Sequence, residues 1–405
     1  MHSARNFSMN RISFFVGAAL AANCLLMPFA VGAEVSGGKK SARPRLAPID
    51  TSGFRDSRHH WRNIRDENRF IQVLPGQAEY RRTQVREIAA NILLFQRSNG
   101  GWPKDYAMLA VLTEEQKAAV LATRDRSDTS FDNGNLHSQV AYLARAYAAA
   151  GEPAWKEACQ RGLDFMLAAQ YPNGGFPQHY PNARLYHAHI TFNDYAMVGT
   201  LNVLEDAAAG VSHFAWLDSQ RKELARAAVG RAVDCILKCQ INVNGKLTGW
   251  CQQHDEKTFE ARPARTFELA SICPQDTTEI VRFLMRLENP GDDVVRSVDA
   301  AVSWLRESRL SGVRVDQVKA PLVKFERHDA DFDVVVVQDK KAPPIWARHY
   351  EIETNRPIFA GRDGIKHYDL EQVSRERRTG SNWYGKWPQN LLEEEYPAWR
   401  ARLKR

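Results

Sequence analysis

Two stretches 74 residues apart are built the same way, and this recurrence limits the folds open to the chain. Val85, Ile88, Ala89, Ile92 and Leu93 fall at helical spacing, and their helix stops at Asn99-Gly100-Gly101-Trp102-Pro103. The pattern returns at Phe165–Gln170 followed by Tyr171-Pro172-Asn173-Gly174-Gly175-Phe176-Pro177, so that Gln96 matches Gln170 and Asn99 matches Asn173. A weaker third copy, Cys235–Gln240 with Asn244-Gly245 and Trp250, follows about 70 residues later. Helical stretches at Ser138–Ala150 and Met197–Ala208 lie between the copies. Helix pairs repeating at this period bury their faces against their neighbours and can close into a ring. The expectation is an all-α fold, an irregular (α/α) toroid of three hairpins with long loops and a few short β-strands.

The ends depart from this rhythm. Residues 1–33 carry Arg5 and Arg11, no acid, and an uncharged run from Ile12 to Ala33 that closes on small residues, the layout of a cleavable export signal with maturation near Glu34. An uncleaved anchor is the rival reading, since about 20 apolar residues can span a bilayer; Pro28 and the small-residue exit favour cleavage. A secreted or periplasmic location follows, with no membrane association after cleavage. Residues 34–70 are rich in charge, Pro and Ser and read as a tether or loosely packed arm. Residues 71–405 form the main domain. Its last third contains the β-branched run Val334–Val337 and Pro343-Pro344, which predict loops and short strands over the rim.

Charge and cysteine content exclude some functions. Without Arg5 and Arg11 the chain holds 53 basic and 48 acidic residues, an excess near +5 that would steer acidic ligands towards a cleft. No basic tract with interleaved aromatics marks a nucleic-acid partner. Apart from Cys24 in the signal, Cys159, Cys235, Cys239, Cys251 and Cys273 show no paired C-x-x-C zinc spacing and are assigned no chemistry, Cys235 and Cys239, four apart in a helical stretch, reading as buried small hydrophobes rather than a disulfide. Their odd number leaves at least one thiol free or bridged to another chain. A monomer is expected.

Two acidic motifs stand in matching contexts. Ser130-Phe131-Asp132-Asn133-Gly134 precedes one helix and Thr191-Phe192-Asn193-Asp194 the next, which would point both aspartates into one mouth. Each could equally be a helix N-cap contributing about 1 kcal/mol. His187 and His189 precede the second motif; as an H-x-H pair without a third ligand they suit sugar hydroxyls or packing better than zinc. Trp102, Phe176 and Trp250 after the turns read as core, with sugar stacking the alternative. Arg265, Arg348 and Arg362 lie in irregular segments rich in aromatics and glycine, where a guanidinium commonly holds a carboxylate through two parallel hydrogen bonds.

These motifs resemble the polysaccharide lyase family ten pectate lyases across Arg81–Arg400. The resemblance rests on Leu94-Phe95-Gln96 through Trp102-Pro103-Lys104, Phe131-Asp132-Asn133-Gly134, His189-Ile190-Thr191-Phe192-Asn193-Asp194, Asn244-Gly245-Lys246-Leu247-Thr248 with Gln253-His254-Asp255, Trp346-Ala347-Arg348 and Arg362-Asp363-Gly364. It implies cleavage of polygalacturonate by β-elimination with Ca2+ assistance. Arg265 falls at the base, Asp132 and Asp194 at the metal, and Arg348, Arg362, Lys104, His189, Asn193 and Asp132 against substrate. An arginine stays protonated below a pKa of about 12, so a base role implies an alkaline optimum.

The chain departs from that pattern at Tyr195, where the family commonly has a second aspartate, at Asn135-Leu136, and at Ser271–Asp276. The first weakens the expected Ca2+ site. Two alternatives stay open: a lyase or glycoside hydrolase on another uronate polymer, the hydrolase using Asp132 and Asp194 as a carboxylate pair, and a non-catalytic pectin-binding homologue.

Overall fold

The computed structural model describes residues 45–403. The expected export signal at 1–33 and the start of the expected tether lie outside these residues. From Leu46 onward the chain packs as one unit, rich in helix and without a closed sheet. No helix among the described residues is long and apolar enough to cross a membrane.

Among the described residues the architecture is carried by the helices α1 (Arg55–Asn63), α2 (Val85–Phe95), α3 (Glu114–Ala122), α4 (His137–Ala150), α5 (Pro153–Ala169), α6 (Ala196–Ala209), α7 (Ser219–Cys239), α8 (Pro274–Leu284) and α9 (Asp292–Glu307), with two short ones, Arg375–Gly380 and Tyr396–Leu403, near the C-terminus. Their ends follow local chemistry. Pro153 and Pro274 open α5 and α8, where a missing N–H costs nothing, and Thr113 with Gln116 forms a capping box on α3. Gly151 and Gly210 end α4 and α6 in the left-handed region.

The helices pack in two rows. One runs α4, α6, α8 and the other α2, α5, α7, α9, with the hairpins α4/α5, α6/α7 and α8/α9 joining them. Helix α6 is buried all round over its first turns, from Ala196 to Leu201, and leaves only the stripe Asn202, Glu205, Asp206 and Ala209 at least partly open. Helix α9 buries the single stripe Val294, Val298, Ala301, Val302 and Leu305 and turns its charges outward.

The repeated glutamine and glycine turn explains how the hairpins stack. Gln96, Gln170 and Gln240 each cap a helix of the second row in nearly the same conformation. Each amide donates to its own turn and to the next helix of that row: Gln96 to Gly100 O and Ala158 O (both 2.9 Å), Gln170 to Gly174 O (3.0 Å) and Ala228 O (2.8 Å), Gln240 to Thr248 O (2.8 Å) and Ser297 O (3.0 Å). Trp102 and Trp250 donate 2.8 Å bonds to Ile92 O and Ile236 O, closing the core beneath the turns as expected of core aromatics. Gly174, at φ +94°, lies so close to the next helix that a Cβ would stand 2.0 Å from Arg231 O.

Two expectations need correction. The described part of the expected arm, residues 46–70, is packed rather than loose: it forms α1, with Phe54 and Trp61 2% and 1% exposed. Its charges hid a short amphipathic helix whose apolar anchors are two aromatic residues. The C-terminal strands are also not all short. Val313–Lys324 pairs antiparallel with Asp329–Gln338, from Val313 opposite Gln338 to Lys319 opposite Phe332, with an irregularity before Val323. The first strand is mostly exposed and the second half-buried, so the apolar period that would have announced them is weak. Arg375 secures the hairpin through the carbonyls of Pro321, Ala330 and Phe332, and Arg378 through Asp333.

Candidate active site

The loops entering α4, α6 and α8 open on one cavity of about 1670 Å³. Its lining brings together Lys104, Asp132, Asn193, Asp194, Arg265, Arg348 and Arg362. The loops achieve this with unusual backbone: Asn133, Leu136, Asp194 and Tyr195 all have positive φ, between 52° and 66°. Non-glycine residues adopt that conformation only when their surroundings impose it, and such residues gather at functional sites.

The capping reading of the two aspartates does not hold. Leu136 and Tyr195 occupy the N-cap positions of α4 and α6, with no side-chain cap. Asp132, 4% exposed, instead accepts a 2.5 Å bond from Lys104 Nζ on Oδ2. Its Oδ1 is buried and lacks a hydrogen-bond partner, the Gln178 amide lying alongside without completing a bond. Burial works to raise its pKa, but the Lys104 ammonium outweighs this and holds Asp132 well below the usual carboxylate range. Asp194 has only the Asn193 amide on Oδ2, at 2.8 Å. Burial and the charge of Asp132 push its pKa well up. Asp105, which sequence reasoning passed over, adds a third carboxylate 3.8 Å from Lys104 and accepts from Asn133 Nδ2 at 2.6 Å.

The guanidinium groups gather around one ring. Arg265, Arg362 and Arg377 lie 4.9, 5.7 and 4.5 Å from the centroid of Phe267. Like charges so close require anions between them. Glu268 takes Arg265 through Nε at 2.7 Å and through Nη2, while Glu376 takes Arg362 (2.9 and 3.1 Å) and Arg377 (2.8 Å twice). Burial works against the charge of Arg265, yet Glu268 raises its pKa above even the ordinary arginine value. Arg348 is less committed: its one side-chain bond is a 3.4 Å contact to Asn193 Oδ1.

Sequence reasoning missed Phe267, Glu268, Glu376 and Arg377. The Arg265-x-x-Glu268 spacing was visible, but nothing in the sequence tied Arg377 to Phe267. His189 was expected against substrate and is not among the residues lining the cavity. Its Nδ1 faces Glu256 Oε2 at 3.1 Å, in a group with Asp255 whose ligand atoms lie within 4.8 Å of one another. The short strand that follows His189, Ile190–Thr191 paired to Gln253–His254, carries it to the Glu256 side. The five described cysteines are buried and free, in keeping with no assigned chemistry.

A buried carboxylate with an unsatisfied oxygen, set among guanidinium groups at the mouths of stacked helical hairpins, makes a site suited to an anionic ligand. A family model described as pectic acid lyase matches residues 96–392. The chain therefore belongs to the pectic acid lyase family and is a pectate lyase. Two solved structures are similar. The family 10 polysaccharide lyase from Cellvibrio cellulosa is 28% identical with a TM-score of 0.65, the alignment covering 76% of this chain and 90% of that one. A mutant of that lyase in complex with trigalacturonic acid gives the same identity and TM-score and covers 91% of that chain. No curated protein matches.

Proposed function

We propose that this enzyme cleaves polygalacturonate by β-elimination at the Asp132–Arg265 cavity, with Ca2+ assistance, and that its hairpins form an irregular (α/α) toroid. The observation that carries the reading is the meeting of Asp132, Asp194, Arg265, Arg348 and Arg362 in one cavity of a pectic acid lyase family member. The trigalacturonic acid bound to the Cellvibrio cellulosa mutant supports an acidic polysaccharide as substrate.

The donor set suits a hard cation. Asp132 Oδ1 has no partner among the described residues, and Asp194 is a carboxylate whose pKa is raised by burial and by the charge of Asp132, a pairing of acids that a cation between them would relieve. Asp132 and Asp194 would hold Ca2+, which when bound supplies the positive charge that makes the C5 proton of a galacturonate ring acidic. Arg348 and Arg362 orient ring carboxylates. Arg265, as neutral guanidine, takes the proton from C5; the C5–H electrons form the C4–C5 double bond, and the C4–O bond breaks. The leaving oxygen takes up a proton. Lys104 holds Asp132 ionised throughout. Export through the segment at 1–33, a catalytic domain that takes in α1 and so starts at Leu46 rather than at residue 71, and a monomeric state complete the proposal.

The test is to incubate the protein with polygalacturonate at alkaline pH, with Ca2+ or a chelator, and follow ultraviolet absorbance. Elimination creates a conjugated double bond and hydrolysis does not. Arg265→Ala should abolish the signal; an unchanged rate, or reducing ends formed without absorbance, would refute the mechanism.

A further inference from the structure

The segment before the family match contributes a wall to the cavity. Helix α1 ends at Asn63, well ahead of residue 96, yet Asp56, His60 and Arg65 line the same cavity as Arg265. The helix is fixed against the catalytic loop: Ser57 Oγ donates to Asn133 O at 3.1 Å, and Gly134 sits where a Cβ would stand 2.7 Å from Gly53 O.

Just past α1 the chain is stitched to the turn of the long hairpin. Arg65 N donates to Arg327 O at 3.0 Å, and Arg327 Nη1 returns a 3.2 Å bond to Arg65 O. The Arg65 side chain donates to Asp329 Oδ1 at 2.7 Å and to the carbonyls of Phe325, Glu326 and His328. Arg65, Arg327, His328 and Asp329 all line the cavity. Two segments 262 residues apart thus meet through one backbone and several side-chain hydrogen bonds among residues that line the cavity, and a polysaccharide cannot pass between segments joined in this way. The border mixes both signs: Arg65 and Arg327 are paired with Asp329 (2.7 Å) and Glu326 (3.1 Å), and Arg69 gives its guanidinium to the carbonyls of Trp61 (2.7 Å) and His60 (2.6 Å).

We infer that the Arg65–Arg327 junction shuts one end of the substrate cleft, so that this enzyme takes chain ends and short oligogalacturonates rather than the middle of long chains. The inference rests on the proposed pectate site and deepens it. A closed end limits the number of rings that can be bound at once, so affinity stops growing once the cleft is full; in an open groove each further ring can add contacts.

The experiment measures binding of galacturonate oligomers of increasing length to the Arg265→Ala protein by calorimetry, and product sizes with solution viscosity for the active enzyme on polygalacturonate. Expected are affinities for trimer and hexamer within about twofold of each other, short unsaturated products from the first minutes, and a slow fall in viscosity. Two variants open the wall: Arg65→Ala, and replacement of residues 320–331 by Asn-Gly, which joins the paired residues Lys319 and Phe332 by a two-residue turn. Circular dichroism verifies folding of both. At least one should raise the hexamer-to-trimer affinity ratio about fivefold or more and broaden the early products. Steadily tightening binding with length, or a rapid viscosity loss with a broad product ladder in the unaltered enzyme, overturns the closed end while leaving the pectate site intact. No binding to any galacturonate overturns the pectate site, and the inference with it.

Discussion

Glu268 Oε2 accepts the Nε hydrogen of Arg265 at 2.7 Å, so the guanidinium proposed as base is clamped by the acid three residues along. Glu268 favours the charged form, and removing its charge lowers the Arg265 pKa. At any given pH more neutral guanidine is then present. The Glu268→Gln variant should shift the rising limb of the kcat/KM profile, on which Arg265 loses its proton, to lower pH, read from rates across the alkaline range. A limb at the same pH would show that Arg265 does not set it.

Lys104 and Asp132 form a pair in which the acid is buried and the ammonium one-third exposed. Removing one partner of a fully buried pair costs about 3–5 kcal/mol, and the exposure of Lys104 reduces this, so Lys104→Met should destabilise the protein by about 2 kcal/mol. Because the folded pKa of Asp132 is depressed, its stabilising contribution is present above the ordinary carboxylate range and is lost as pH falls through the folded value. The stability difference between the two proteins should therefore be greatest near neutrality and narrow in acid, as urea unfolding at several pH values will show.

Gly174 and Gly245 share a positive φ but not their surroundings. A Cβ at Gly174 meets the Arg231 carbonyl, whereas at Gly245 nothing lies within 4 Å. Gly245→Ala should cost about 1 kcal/mol, the conformational penalty alone. Gly174→Ala should cost about 3 kcal/mol or more, because α7 must move away from the turn. Chemical denaturation distinguishes the two; equal losses would mean that the turn does not set the hairpin spacing.

Asp194 must be ionised to ligate Ca2+, and its pKa is raised by burial and by Asp132. Below that raised value, binding releases a proton, so Ca2+ affinity should climb with pH and level off above it. Calorimetry in two buffers of different ionisation enthalpy measures the release, and Asp194→Asn should abolish it along with most of the affinity. Proton release unchanged in that variant would place the coupling elsewhere.

The parts of this site visible in the sequence are those carried by short range. Asp132 and Asp194 were legible because each stands in a short motif opened by a phenylalanine just ahead of a helix, and both do reach the cavity. Arg265, Arg348 and Arg362 were legible as guanidinium groups in irregular segments. Glu376 and Arg377, at the start of a six-residue helix, carried no such signal: they come to Phe267 only because the last third of the chain folds back over the hairpin mouths. His189 shows the converse. Its motif placed it beside Asn193 in sequence, but the intervening strand turns it to Glu256, away from the cavity.

By itself the sequence determined the repeated helical hairpins, their glutamine and glycine turns and the two aspartate loops, since helical period, left-handed glycine and local hydrogen bonds act over a few residues. Tertiary structure alone decided that α1 belongs to the cavity wall, that Lys104 rather than a helix end satisfies Asp132, and that Glu268 and Glu376 share out three arginines around Phe267. Those outcomes depend on burial and on charges from distant segments meeting in one low-dielectric space, and a linear order of residues does not encode which charges will meet there.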